Sequence, residues 1–385
     1  MPGKISQRKI PAAIIVAFFT IGLFEALFPR LNRHVNFVIL DNYYVSALAF
    51  AGLLVLALLP VLFSMMRQGK DRRTKLMFAL IIILPGLLIP LVYAKSSNFL
   101  LFSTLFLFAG SLLVQAEGLR LIISPGDNGS YAKKTAILYL FKSLGLIMGM
   151  AMTSIAKDWI NESHKLIYIS IAFLALSVAC LFIFHYPAVR EDTREQGKFS
   201  IRALLSNKFV ILMLGGLAVY AGSEFCLVDF LPFYFSETFG TRIMQMVIPG
   251  IGLFMVSFFT GRLAGVFLLG RIKAENLFLI SGILGILGLS SMFVGQKDLS
   301  LIAMVITGLG TANIFPLMLS LSLERLKEEN RLMTGMMIGT IPLGAFSPSL
   351  MWAVADSISL GMSFTVPVFC LFYLIWIAIL LIRRI

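Results

Sequence analysis

Four acidic residues, Glu25, Glu117, Glu224 and Asp229, and three basic ones, Arg120, Lys142 and Arg262, stand inside long apolar stretches rather than between them. A charge placed in hydrocarbon costs about 3 kcal/mol or more, so such side chains face a bundle interior or a wet cavity and mark the sites of ions, protons or polar solutes. A carboxyl group there has a further use. Burial raises proton affinity towards the working pH and allows protonation to be coupled to the binding of a second ligand. No nucleophile and base pair, phosphate loop or metal constellation accompanies these acids, so neither an enzyme nor a metal or other cofactor is expected. Cys180, Cys226 and Cys370 lie singly in three stretches, and His34, His164 and His185 near stretch ends, which suits incidental or structural roles.

The elements that must position these charges are membrane spans. With 59% hydrophobic and 13% charged residues and a mean hydropathy of +0.93, the chain has too little polar surface for a water-soluble domain. About 20 apolar residues cross a bilayer. Twelve spans are expected, near 10–30, 43–66, 76–94, 98–124, 135–156, 166–186, 209–235, 245–270, 276–295, 299–323, 332–355 and 361–382. The first is too long, and too poor in a small-residue cleavage site, for a removed signal peptide, and is expected to stay. The termini and even-numbered loops carry 22 Lys and Arg against 7 in the odd-numbered loops, which places both termini in the cytoplasm. Arg67, Lys70, Arg72, Arg73 and Lys75 form the strongest anchor. Topology thus explains the net charge of +13 without nucleic acid as a partner. Asn128 and Asn161 head glycosylation-like triplets, of which only the second falls on the expected outer side.

The extended hydrophilic segment 187–208 divides the chain into an amino-terminal six-helix bundle, 1–186, and a carboxy-terminal one, 209–385. Such a division suggests pseudo-symmetric halves rocking about a site near the bilayer midplane. Glu25 and Glu224 each stand fifteen residues into the first span of their half, shortly before Pro29 and Pro232. Spans 3, 6, 9 and 12 hold no charge, which suits the lipid side. Gly145 and Gly149 in span 5, and Gly335, Gly339, Pro342, Gly344 and Pro348 in span 11, fit either close helix packing or bending.

Several segments in order resemble the fucose, glucose and galactose proton symporters of the major facilitator superfamily. They are Tyr220-Ala221-Gly222-Ser223-Glu224 in span 7, Thr260-Gly261-Arg262-Leu263-Ala264-Gly265 in span 8, Phe315-Pro316 through Ser320-Leu321 in span 10, and Ile338 through Gly344 to Pro348 and Asp356 in span 11. The resemblance implies an all-helical fold of twelve spans in two bundles, and proton-coupled uptake of a monosaccharide or similar small polar solute by alternating access. Glu25, four residues before Pro29, matches an acid that the family uses in sugar and proton binding, and is the expected proton carrier.

Span 4 departs from that pattern. In the family's register Leu113 takes the place of an acid and Glu117-Gly118 that of Asn-Pro, while Lys142-Ser143-Leu144-Gly145 in span 5 stands where the family has Asn-Ser-x-Gly. One acid and one base replace two amides, so Glu117 and Lys142 are expected to face each other across the cavity, with Arg120, three residues from Glu117, competing for the same acid. Gln115, Glu117, Tyr139, Lys142, Tyr220, Glu224 and Asn313 are the expected solute contacts. Asp229, five residues past Glu224, lies about 140° around the helix and should not share its pocket. Arg262 with Glu324 is expected to latch a cytoplasmic gate, although simple topological anchoring predicts a basic residue there too. Two rival readings are an efflux antiporter for amphipathic compounds, suggested by 34 Phe and 19 Met, and a non-transporting sensor or assembly protein, suggested by the missing span 4 acid. A monomer in the lipid of a bacterial cytoplasmic membrane, with a small-molecule substrate and protons as its partners, is expected.

Overall fold

The computed structural model describes residues 10–26, 43–66, 72–92, 97–122, 131–155, 164–183, 201–240, 252–326 and 330–383. Their regular elements are all helical. We number the α-helices α1 (Ala12–Glu25), α2 (Tyr43–Met65), α3 (Arg72–Val92), α4 (Ser97–Ile122), α5 (Tyr131–Ile155), α6 (His164–Ile183), α7 (Ile201–Ser206), α8 (Lys208–Phe239), α9 (Leu253–Leu268), α10 (Ala274–Ser291), α11 (Lys297–Thr311), α12 (Ile314–Arg325), α13 (Asn330–Gly339), α14 (Ser347–Ser357) and α15 (Thr365–Ile382). Pro29, Arg67, Lys70, His34, His185, both glycosylation-like asparagines and residues 187–200 of the expected linker lie outside the described residues, as do the side chains of Arg72, Arg73, His164, Asp229 and Pro232.

Among the described residues, eight helical segments are long and apolar enough to cross a membrane, and four shorter apolar helices accompany them. The chain is an integral membrane protein. Helices are what such sequences must form in lipid, because each backbone N–H and C=O there needs an internal partner. Large apolar side chains stay exposed on their outer faces, among them Val55, Phe78, Ile183, Phe267 and Phe369, and lipid can cover these. Burial follows charge only in part. α15 is 33% buried and α3 39%, against 67% for α4 and 72% for α11 with α12, yet α5 is 39% buried while carrying Lys142.

Two expected spans are broken, each by proline. The tenth divides into α11 and α12 at Ala312–Asn313, four residues before Pro316. The eleventh divides into α13, a 3-10 turn over Ile341–Phe346 and α14, with Pro342 and Pro348 at the joints. Proline lacks the N–H that would bond the carbonyl four residues earlier, and a neighbouring helix can supply the missing donor. Pro90 in α3 deprives the Gly86 carbonyl in this way, and Ser103 Oγ of α4 donates to it at 2.6 Å. The short α7, within the expected linker, has Leu204 as its buried residue.

The chain forms two compact units. The first comprises residues 1–134, 141–203 and 326–339, and the second 135–140, 204–325 and 340–385. In the first, α1 packs against α4 and α6, α3 against α4, and α13 against α2. Gly335 and Gly339 of α13 lie directly on the backbone of α2, at Pro60 and Ala57. In the second, α8 packs against α15 and the Ile341–Phe346 turn, and α10 against α11 and α15.

Candidate functional site

The first unit holds a closed ring of four polar side chains, and a glycine crossing puts it there. Gly22 of α1 lies against the Lys142 carbonyl of α5, and Gly145 of α5 against the Phe19 carbonyl of α1, so near that a Cβ at either would run into backbone. Glu25 stands three residues beyond Gly22, and Lys142 three before Gly145. Three residues turn a helix by about 300°, so each charge lies near the contact stripe of its own helix. Lys142 Nζ comes to 2.9 Å from Glu25 Oε1.

α4 closes the ring. Ser111 Oγ donates to Glu25 Oε1 at 2.7 Å, Gln115 Nε2 donates to Ser111 Oγ at 3.2 Å, and Lys142 Nζ donates to Gln115 Oε1 at 3.2 Å. Ser111 and Gln115 are one helical turn apart and almost wholly buried, while Glu25 and Lys142 keep 18% and 16% of their side chains exposed. The charged members therefore keep part of their surface uncovered, while the neutral ones hold them in place.

The expected pairing of Glu117 with Lys142 is not what the chain adopts. Glu117 accepts from Arg120, and both are buried on α4. Helical geometry explains the difference. Ser111, Gln115 and Gly118 lie along one stripe of α4, where Gly118 touches Phe18 and Ile14 of α1. Glu117, two residues past Gln115, is turned by about 200° and points away from it. Ser111 was absent from the expected contacts, although its spacing of four from Gln115 marks a shared helical face.

The second unit collects most of the other expected residues around the break between α11 and α12. Pro316 cannot bond the Ala312 carbonyl, and Arg262 Nε of α9 donates to it at 3.2 Å. Tyr220 of α8 donates its hydroxyl to the Thr311 carbonyl at 3.1 Å, and Asn313 Nδ2 donates to the Gly261 carbonyl at 2.7 Å. Arg262 also donates to the Tyr139 carbonyl at 2.9 Å and lies over the Phe258 and Tyr139 rings. Phe315 packs on both Tyr139 and Tyr220. Glu224, one turn along α8 and half-buried, shares the neighbourhood of the Tyr220 hydroxyl with Arg262.

This arrangement alters the roles of several expected residues. Asn313 and Tyr139 stitch the break together with buried bonds and ring contacts. Arg262 is engaged with carbonyls and rings, not with Glu324. From Ile314 at the head of α12 to Glu324 in its last turn the helix rises by roughly 15 Å, which carries that carboxylate far from the Arg262 guanidinium. Phe315 stood only as part of the span 10 motif and was given no role, and Phe258, which also belongs to the cluster, was not singled out. Nothing local to the position of Phe258 in the chain distinguishes it from the many lipid-facing phenylalanines.

Comparison with known proteins agrees with the fold. A family profile described as Major Facilitator Superfamily matches residues 12–347. A putative glucose/galactose transporter of Helicobacter pylori is 21% identical over 304 residues, covering 71% of this chain and 73% of that protein. A glucose/galactose transporter of Brucella abortus is 22% identical over 287 residues, covering 70% of each. Among solved structures, a point variant of the fucose:proton symporter FucP of E. coli superposes with a TM-score of 0.74 at 15% identity, over 95% of this chain and 97% of that one. The human organic anion transporter MFSD10 superposes with a TM-score of 0.67 at 14% identity, over 97% and 100%.

Proposed function

The chain belongs to the Major Facilitator Superfamily, whose fold and family are those of transporters, and on that footing we propose that it is a proton-coupled symporter of a monosaccharide-sized polar solute. It works as a monomer by alternating access through twelve spans in two bundles of a bacterial cytoplasmic membrane, with both termini inside. The names of the bacterial relatives support a sugar-like solute, and that of the fucose:proton symporter supports the coupling ion. The observation that carries the proposal is the ring Glu25–Ser111–Gln115–Lys142, in which a carboxylate and an ammonium hold each other and neither is wholly buried.

In this reading Glu25 is the proton carrier. Its carboxylate is held by Lys142 and Ser111 when ionised, and a proton arriving there loosens both contacts and frees hydrogen-bonding groups for the solute. Glu224, half-buried, offers a further polar contact in the second unit, whereas Tyr220, Tyr139 and Asn313, buried and bonded there, and Glu117 with Arg120 serve packing. Purified protein in liposomes tests the proposal. An inward proton gradient should drive accumulation of the solute, and Glu25→Gln should abolish accumulation while leaving solute exchange at equal concentrations. Gradient-driven extrusion, or accumulation that survives Glu25→Gln, would refute it.

A further inference from the structure

The charges of the ring point to the class of solute. Glu25 and Lys142 carry opposite unit charges and Ser111 and Gln115 none, so the four side chains together are neutral with Glu25 ionised. Glu25 is the charged residue of α1. On α4 the charged residues Glu117 and Arg120 bond each other, and α6, which also packs on α1, has no charge beyond Lys165 and turns Ser177 to Thr20. On α5, Lys133 and Lys134 stand more than two turns before Lys142.

Coupling adds one proton to this set. The proton goes to a Glu25 carboxylate oxygen, cancels the negative charge 2.9 Å from Lys142 Nζ, and leaves the four side chains at +1. A net charge in a low-dielectric site is what a membrane protein must offset before it can be carried across. A neutral sugar supplies only hydroxyl dipoles, whereas a solute with one carboxylate returns the sum to zero. Resting on the symporter reading above, we infer that the transported solute is a small polyhydroxy carboxylate of the sugar-acid class. Its carboxylate takes the place of Glu25 beside Lys142, whose side chain keeps 16% of its surface exposed, while the buried Gln115 and Ser111 go on holding that ammonium in position. One anion then moves with one proton, and both the empty and the loaded ring are neutral.

The experiment compares sugars with their own acids in proteoliposomes under an inward proton gradient. The pairs are D-glucose with D-glucuronate and D-gluconate, D-galactose with D-galacturonate and D-galactonate, and L-fucose with L-fuconate. At equal low concentrations, at least one acid should enter with an initial rate about tenfold or more above that of its parent sugar, the worth of one charge-assisted hydrogen bond. Lys142→Arg should keep that preference and Lys142→Gln should lose it. A second readout needs no variant. Electroneutral uptake should not respond to an imposed membrane potential, whereas moving one net charge would change equilibrium accumulation about fifty-fold per 100 mV. A neutral sugar that accumulates as well as its acid, with uptake that follows the potential, overturns the inference and leaves the symporter reading standing. Gradient-driven accumulation of none of these solutes overturns both.

Discussion

Replacing Glu25 and Lys142 by glutamine, singly and together, measures what the ion pair contributes. Two unit charges about 4 Å apart attract by about 4 kcal/mol at an effective dielectric constant of about 20. With Nζ at 2.9 Å from Oε1 and less than a fifth of either side chain exposed, the pair sits near that regime. Breaking it from one side leaves an unpaired, mostly desolvated charge, for which a loss of about 3 kcal/mol is expected. At about 2 °C per kcal/mol, each single variant should unfold roughly 6 °C below the parent. The double variant should recover most of this, because two amides can hydrogen-bond to each other and neither carries charge. We expect it within about 1 kcal/mol of the parent, which amounts to a coupling energy of about 5 kcal/mol. Thermal unfolding of the detergent-purified protein, with the half-buried Cys180 and Cys370 replaced by serine so that a thiol-reactive dye reports exposure of the buried Cys226, provides the assay. Losses that simply add, with a coupling below about 0.5 kcal/mol, would refute direct pairing and with it the positioning argument from the glycine crossing.

Two further predictions follow from backbone contacts. Gly145→Ala introduces a Cβ into the Phe19 carbonyl of α1, which no side-chain rotation can relieve, so a loss of about 1–3 kcal/mol in the same unfolding assay is expected, together with slowed uptake as Glu25 and Lys142 separate. Arg262→Gln should cost about 1–3 kcal/mol by leaving the Ala312 carbonyl without its donor, and Pro316→Ala should lessen that cost by restoring an amide at position 316; a cycle of Arg262→Gln with Glu324→Gln should instead be additive within about 0.5 kcal/mol.

How much of this was legible in the chain differs by level. Apolar length and the isolation of charges within it led to a helical membrane protein, and the ordered segments in spans 7, 8, 10 and 11 led to the family. Glu25, Gln115 and Lys142 were singled out by type and depth, and the first unit brings all three together. The pairing of Glu117 was open because spacing along one helix says which residues share a face but not which face meets a neighbour. Glu324 was paired with Arg262 as an acid at the cytoplasmic end of span 10, and the rise of α12 carries the two apart.

The sequence by itself determined where the apolar segments run, which of them carry charge, and where Pro90, Pro316 and Pro342 must leave carbonyls without helical donors, since these depend on residue type and local backbone chemistry. Tertiary structure alone decided who supplies the missing donors and who neutralises each charge: Ser103 for Gly86, Arg262 for Ala312, Lys142 for Glu25 and Arg120 for Glu117. Those choices depend on rotation and register between helices, which the Gly22 and Gly145 crossing sets through contact between residues more than a hundred positions apart.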